Sequence, residues 1–106
     1  MEEFHDTCIS RLHEMLKEFP VKGTVFFEKI KGKHEDYFMA SVTVTGHVIV
    51  VYLYPDDKEA GFEVDGRDWI MLEKYDYDSP DKLISALVAK LRKVLQDFTG
   101  EQNKGI

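Results

Sequence analysis

The chain has 106 residues, of which 43% are hydrophobic and 32% are charged, and its formal net charge is −6 at pH 7. A chain of this length fits one compact domain, and its composition is that of a globular protein and not of a disordered one. The negative charge has the wrong sign for holding a phosphate backbone, because nucleic-acid binders use Lys and Arg side chains for that purpose. We therefore expect no direct binding of nucleic acid.

The N-terminal sequence MEEFHDTCIS has acids where a secretory signal peptide has a basic start and an apolar run. No segment approaches the roughly 20 apolar residues of a membrane span. The single cysteine, Cys8, excludes an internal disulfide and agrees with a reducing compartment. We therefore predict a cytoplasmic protein that does not bind membranes.

Two segments show the three- and four-residue spacing of apolar side chains that is typical of an amphipathic helix. The first segment predicts a helix over residues 2–18. The second predicts a helix over residues 80–99, with Ser79 as the N-cap, Pro80 as the first helical residue and Gly100 as the C-cap.

Between these helices the hydrophobic period switches to two, which predicts β-strands. Residues 37–44 alternate, and the stretch VIVVYLY of residues 48–54 is apolar or aromatic on both faces. Gly46 and His47 between them predict a two-residue hairpin turn with glycine first.

This turn fixes which residues of the two strands lie opposite each other. It places Val44 opposite Ile49 on the face that is predicted to be buried, and Met39 opposite Tyr54 on the reverse face. The second strand therefore presents an apolar surface on the side away from the core.

An earlier strand is predicted over residues 23–31, and the Asp-Gly pair at residues 65–66 indicates a later hairpin. A two-residue turn there would pair Phe62 with Trp69. The strand that follows, residues 67–77, is apolar on both faces, so the sequence leaves open which of its faces is buried.

The predicted fold is α+β, a two-layer sandwich in which a five-stranded antiparallel meander carries the N-terminal and C-terminal helices on one face. A single α-β-β-β-β-β-α domain covers residues 1–100, and residues 101–106 are predicted to form a flexible tail. Five strands at about 4.8 Å give a sheet roughly 20 to 24 Å wide, which two helices at about 10 Å each cover on one side. No element remains to cover the other side.

The uncovered face of the sheet is the predicted functional surface, since an exposed apolar patch on a globular domain usually marks an interface. The side chains predicted to make contacts there are Tyr37, Met39, Tyr52, Tyr54 and Trp69. We predict a small, acidic, non-catalytic interaction module that binds a second copy of itself or another protein. Small inhibitors, immunity proteins and secretion chaperones act in this way.

Two other interpretations of the tyrosine-bearing face remain open. A strongly twisted sheet could curl and shelter its own reverse face. Alternatively, the protein could bind a small ligand in a pocket between a curved sheet and the helices. The order of helix, strands and helix is similar to that of type III secretion chaperones in topology only, and we assign no family from it.

The sequence contains no spacing-specific catalytic signature, such as a P-loop, G-x-S-x-G or H-E-x-x-H motif. An enzyme is therefore not favoured. Carboxylates near the uncovered face, for example Glu28 with Glu63 or Glu73, could still form an acid–base pair, because such pairs depend on proximity in space.

No metal or cofactor is expected either. His5 and Cys8 lie one helical turn apart, but Cys8 falls on the apolar stripe of its helix and is predicted to be a core residue. The acidic segment of residues 76–81 lacks the glycine and the bidentate glutamate of a calcium loop. A second acidic segment, residues 55–61, is interpreted as a solvated loop.

Overall fold

The computed structural model describes residues 3–104 of the chain, with side chains described for residues 3–100. The elements are α1 (Phe4–Leu16), β1 (Glu28–Ile30), β2 (Tyr37–Val44), β3 (His47–Tyr54), β4 (Glu59–Val64), β5 (Asp68–Leu72) and α2 (Pro80–Lys104). The strands form one antiparallel sheet in the order β1-β2-β3-β4-β5. The predicted α+β fold, with a five-stranded meander between terminal helices, is therefore confirmed.

The helices and one side of the sheet enclose an apolar core. α2 contacts β2 and β4 and packs beside α1. His5 of α1 stacks on Phe38 of β2, with ring centroids 4.5 Å apart, which places α1 on the same side. The buried sheet residues alternate along the central strands, and they are Ala40, Val42, Val44, Ile49, Val51, Leu53, Ala60 and Phe62. Each fully buried side chain of this kind contributes about 1.5–3 kcal/mol through removal of apolar surface from water.

The start of α2 agrees with the sequence. The backbone N–H of Lys82 donates to the Ser79 hydroxyl oxygen at 3.3 Å, and the N–H of Leu83 donates to the Ser79 carbonyl at 3.2 Å. Ser79 is therefore the N-cap, and Pro80 occupies the first helical position, where its missing N–H costs nothing.

The end of α2 differs from the prediction, because the helix continues through Gly100 to Lys104. Gly100 does not adopt the positive φ of a C-cap. A glycine inside a helix costs only about 1 kcal/mol, and the polar residues after it are good helix formers. The flexibility of residues 101–106 stays a prediction, and residues 105–106 lie outside the described part. The predicted start of α1 at residue 2 lies outside it too.

The β2–β3 turn consists of Thr45 and Gly46, with φ values of 48° and 85°. Two positive φ values define a type I′ turn, whose twist matches that of the flanking strands. The predicted turn at Gly46 and His47 was wrong by one position. β-branched threonine seldom adopts positive φ, so the sequence favoured the alternative with glycine first.

The correct turn shifts the register of β2 and β3 by two residues. Val44 no longer faces Ile49, and Met39 lies opposite Tyr52 instead of Tyr54. Because side chains alternate with a period of two, a shift of two leaves every residue on its predicted face.

The β4–β5 turn contains one more residue than predicted. Asp65 and Gly66 both have positive φ, and the N–H of Arg67 donates to the carbonyl of Val64 at 3.0 Å. The ladder nevertheless pairs Val64 with Asp68, so Arg67 is an extra residue, as in a β-bulge.

This single extra residue decides which face of β5 is buried. Phe62 pairs with Ile70 instead of Trp69, so Ile70 and Leu72 join the core. Trp69 pairs with Glu63 on the reverse face. A one-residue shift exchanges the two faces, which the predicted two-residue turn could not reveal.

The two outer strands are shorter than predicted. The predicted strand over residues 23–31 is regular only at Glu28–Ile30, since Val21 and not Gly23 bridges to Val44. The segment between Val21 and Glu28 is two residues longer than the segment between their partners, Met39 and Val44, so a regular ladder cannot form there. Gly23, within this segment, has a φ of 75°. At the other edge, β5 ends at Leu72, and a 3-10 turn at Lys74–Asp76 replaces the end of the predicted strand.

Contacts of Asp65 and His47 connect the two hairpin turns with each other and with α2. The Asp65 carboxylate lies 2.7 Å from Nδ1 of His47 and accepts a hydrogen bond from the N–H of Val48 at 2.9 Å. The His47 ring stacks on Phe98 of α2, with centroids 3.8 Å apart. The hydrogen bonds from His47 and from the N–H of Val48 lower the pKa of Asp65 below its ordinary value.

Replacement of Asp65 by Asn is expected to lower the free energy of unfolding at neutral pH. The carboxylate contributes stability that is complete above its ordinary pKa of 3.8 and is lost as the pH falls through the lower pKa of the folded state. The difference between D65N and the natural chain should therefore shrink on acidification, in denaturant titrations from about pH 6 to about pH 2. A difference that stayed constant over this range would contradict the assignment.

Candidate interaction surface

The side of the sheet that faces away from the helices is called the open face. Its members follow from the strand register, which places directly paired residues on the same side. Its strand residues are Glu28, Ile30, Tyr37, Met39, Ser41, Thr43, Val48, Val50, Tyr52, Tyr54, Glu59, Gly61, Glu63, Trp69 and Met71. The five predicted contact residues all lie on it.

Four aromatic side chains form a continuous row across the open face. Ring centroids are 5.5 Å apart for Tyr37 and Tyr54, 6.2 Å for Tyr37 and Tyr52, and 4.9 Å for Tyr52 and Trp69. These separations are typical of stabilising aromatic pairs. Met39 lies directly opposite Tyr52 in the neighbouring strand. The structure thus brings all five predicted residues together, and their role in binding stays a prediction.

The open face is accessible to solvent. Trp69 is 49% exposed and Val48 is 42% exposed. Phe26, in the segment before β1, is 72% exposed and borders a shallow depression with Glu28 and Met39. The twist of the sheet therefore does not shelter these side chains, and large apolar groups remain available for contact.

A glycine at the centre of β4 shapes the open face. Gly61 pairs with Tyr52 on one side and with Met71 on the other. A Cβ atom at Gly61 would collide with the carbonyl oxygen of Ile70 and lie 3.1 Å from Cα and Sδ of Met71. Met71 therefore covers the backbone of Gly61, and the glycine is buried although it belongs to the exposed side.

Carboxylates lie directly beside the aromatic row. Burial of the hydroxyl raises the pKa of Tyr52, and the negative charge of Glu63 and a hydrogen bond to it raise it further. The pKa of Tyr54 is raised by burial, then by Tyr37 and by the negative charge of Glu35. The environment of the tyrosine rings is thus already negative in the free protein.

The negative charge continues past the end of the row. The pKa of Glu35 is raised by loss of solvation, by a hydrogen bond to Asp57, and by the charges of Asp57, Asp56 and Glu59. The segment of residues 55–61, which the sequence predicts to be a solvated loop, supplies most of these acids. Only residues 55–58 form a turn, and the prediction was wrong for residues 59–61, which begin β4. Among the described residues, no group of three or more His, Cys, Asp or Glu side chains is arranged to hold a metal ion.

Sequence reasoning missed the contribution of Glu59 and Met71 to this surface. Glu59 is placed by the pairing of β3 with β4, where it lies opposite Tyr54. The place of Met71 depends on the extra residue Arg67, since the β4–β5 register decides which residues of β5 share a side with Gly61. Recognition of Asp65-Gly66-Arg67 as a turn followed by a bulge would have identified Met71.

The carboxylates suggested as an acid–base pair are far apart. Glu28 lies in β1 and Glu63 in β4, with β2 and β3 between them. Three strand spacings separate their backbones by about 14 Å. This pair therefore cannot exchange a proton directly.

Cys8 is a core residue, as its position on the apolar stripe predicts. It is fully buried, and burial raises the pKa of its thiol to about 12, although the charge of Arg11 opposes the shift. Its predicted neighbour His5 stacks on Phe38 and lies 3.4 Å from the carboxylate of Asp6. The thiol is therefore inaccessible as a nucleophile or ligand.

No protein-family model matches this sequence, and no curated protein or solved structure is significantly similar to it. Within residues 3–104, neither helix has an apolar stretch long enough to cross a membrane.

Gly61→Ala is expected to destabilise the fold by about 1–3 kcal/mol, because the added Cβ has no space against β5. The matched control is Gly100→Ala, where nothing lies within 4 Å of the added Cβ. Alanine is better than glycine in a helix by about 0.5–1 kcal/mol, so this variant should gain stability. Denaturant titration measures both, and a Gly61→Ala chain as stable as the natural one would contradict the packing of Met71.

The Cys8 thiol is expected to react with a disulfide reagent such as Ellman's reagent only when the chain unfolds. Burial keeps the sulfur away from the reagent, and a pKa of about 12 leaves almost no thiolate at neutral pH. The measurement compares labelling rates in buffer and in denaturant. Fast stoichiometric labelling of the folded chain would contradict the burial of Cys8.

Proposed function

We propose that the protein is a non-catalytic interaction module that binds a protein surface through the open face. The observation that carries the proposal is the row of Tyr54, Tyr37, Tyr52 and Trp69, which is ordered by mutual contacts yet half-exposed. Tyr and Trp are enriched among the residues that dominate binding energies, because they combine large apolar area with few rotatable bonds.

The dimensions of the open face suit a protein partner. Five strands of three to eight residues, at about 4.8 Å between strands and about 3.3 Å per residue, give a plane of roughly 480 Å². A standard interface removes about 800 Å² of accessible surface from each partner, and a pleated surface exposes more area than its plane. The open face and its border at Phe26 therefore supply an area of the required order.

A small-ligand pocket between the sheet and the helices has less support. Phe62 from the sheet and Leu91 from α2 are both fully buried, so side chains fill this region. The depression at Phe26, Glu28 and Met39 is an open part of the surface and not an enclosed cavity. The proposed site of action is a reducing compartment such as the cytoplasm, which the buried lone thiol of Cys8 tolerates.

The double substitution Tyr52→Ser and Tyr54→Ser is expected to abolish the protein interactions of the chain. It removes two rings from the row while leaving the core side of β3 unchanged. The measurement is quantitative recovery of proteins that co-purify with the tagged chain from the cells that express it, combined with light scattering of the isolated chain over a tenfold dilution series.

The matched control is Tyr75→Ser, which removes a tyrosine that is 84% exposed and lies outside the open face. Its associations should equal those of the natural chain. Thermal unfolding checks that both variants fold. If the double variant keeps every association of the natural chain, including any self-association, the open face is not the binding surface.

A further inference from the structure

The charges of the open face specify the chemistry of its partner. Among its described strand residues, three are glutamates, Glu28, Glu59 and Glu63, and none is lysine, arginine or histidine. Two of these glutamates pair directly with members of the aromatic row: Glu63 faces Trp69, and Glu59 faces Tyr54. Each end of the row therefore offers a ring and a carboxylate side by side.

Three basic residues on or next to the helices pair with acids away from the open face. Lys17 pairs with Glu14 at 3.2 Å, Lys82 with Asp78 at 3.4 Å, and Arg92 with Glu18 at 2.8 Å. Within the described residues, no ion pair involves a glutamate of the open face. The glutamates of this surface are therefore available to a partner that carries positive charge.

A second copy of the chain is a poor partner for the open face. In a symmetric dimer the same patch is used by both subunits, so a contact through this face would bring two surfaces together that both carry glutamates and no basic strand residue. Like charges brought together in an interface oppose association. The apolar rings favour self-association, but the charges around them select against it.

An arginine-bearing surface satisfies both features of the open face at once. A guanidinium group stacks on the faces of Trp and Tyr rings and donates two parallel hydrogen bonds to a carboxylate. Glu63, which lies opposite Trp69, provides such a combination. Glu59 lies opposite Tyr54, but its Oε2 already accepts a hydrogen bond from the N–H of Lys74 at 2.9 Å, so Glu63 is the better site for two parallel hydrogen bonds. A lysine ammonium can make the charge contact but lacks the planar stacking surface.

We propose that the open face binds a cationic protein segment that inserts arginine side chains between the aromatic row and the adjacent glutamates. This inference rests on the proposed function and adds the charge and the residue type of the partner. Burial is the largest cause of the raised pKa values of Tyr52, Tyr54 and Glu35, and the nearby carboxylates Glu63, Glu35 and Asp57 add to it. A cation on the open face would be attracted by these carboxylates.

The test uses the full chain and hexa-arginine amide as the probe. Trp69 is the only tryptophan in the sequence and lies on the open face, so its fluorescence reports binding at this surface directly. We expect hexa-arginine to change the Trp69 emission saturably, hexa-lysine to bind at least threefold more weakly, and hexa-glutamate to have no effect. Affinity should fall about tenfold or more between low and high salt, because the contacts are screened.

Glu63→Gln is the diagnostic variant, because it keeps the shape of the side chain and removes its charge. It should weaken hexa-arginine binding at least fivefold. Glu14→Gln is the matched control, since it removes the same charge from α1, where Glu14 is exposed and pairs with Lys17. The control should leave the affinity nearly unchanged. Equal losses in the two variants would show non-specific attraction to the net charge and would overturn the proposal.

The outcomes separate this inference from the proposed function. If a co-purifying partner is lost in the Tyr52→Ser, Tyr54→Ser chain but retained in Glu63→Gln, and hexa-arginine does not bind, the open face is an interface and the arginine inference is wrong. A dimer that dissociates in the double tyrosine variant would identify a second copy as the occupant, which also overturns it. Unchanged associations in the double variant would refute the proposed function itself.

Discussion

The structure depends on one constraint, the packing of both helices on the same side of a five-stranded sheet. α2 lies across β2 and β4, and α1 packs beside it, so the apolar stripes of both helices and the alternate residues of the central strands share one core. Removal of these side chains from water is the dominant stabilising contribution. The same arrangement uses every helix of the described chain on one side, and therefore leaves the reverse side of the sheet in contact with solvent.

The side chains of the open face are of types that tolerate partial exposure to solvent. Tyrosine and tryptophan present apolar rings but keep a polar atom, so they tolerate partial exposure better than aliphatic side chains do. Met71 covers the backbone of Gly61, which would otherwise leave a gap in the sheet surface. The glutamates give this surface negative charge, and like charges oppose contact between surfaces. The edge strand β1 is only three residues long, which leaves a short edge for pairing with another strand.

The two layers of the fold could be predicted from sequence, because the period of the hydrophobic pattern assigns each strand residue to a face even when the strand register is wrong by an even number of residues. The β2–β3 pairing was wrong by two residues, yet each side chain kept its face, and Tyr37, Met39, Tyr52 and Tyr54 were placed on the open face from sequence. Trp69 was predicted on the same face without support from the register, because its face depends on Arg67, a residue whose role as a bulge has no hydrophobic signature. The irregular segment after Gly23 and the continuation of α2 through Gly100 were missed because local propensities there are weak compared with tertiary packing and helix continuation.

The order of elements along the chain also determines how exposed its apolar stretches are during folding. Each strand of the meander pairs with its neighbour in sequence, so the hairpins close short loops. The contacts between the two helical regions join residues that are far apart in sequence. Examples are the hydrogen bond of Arg11 to Ser85 and the ion pair of Arg92 with Glu18, each between residues 74 positions apart. A sheet that forms before the helices dock has two apolar faces, and VIVVYLY at its centre is a segment of the type that forms intermolecular β-structure. Docking of α1 and α2 removes only the core face from intermolecular contact, so the apolar side chains on the other face of VIVVYLY stay at the surface of the folded sheet.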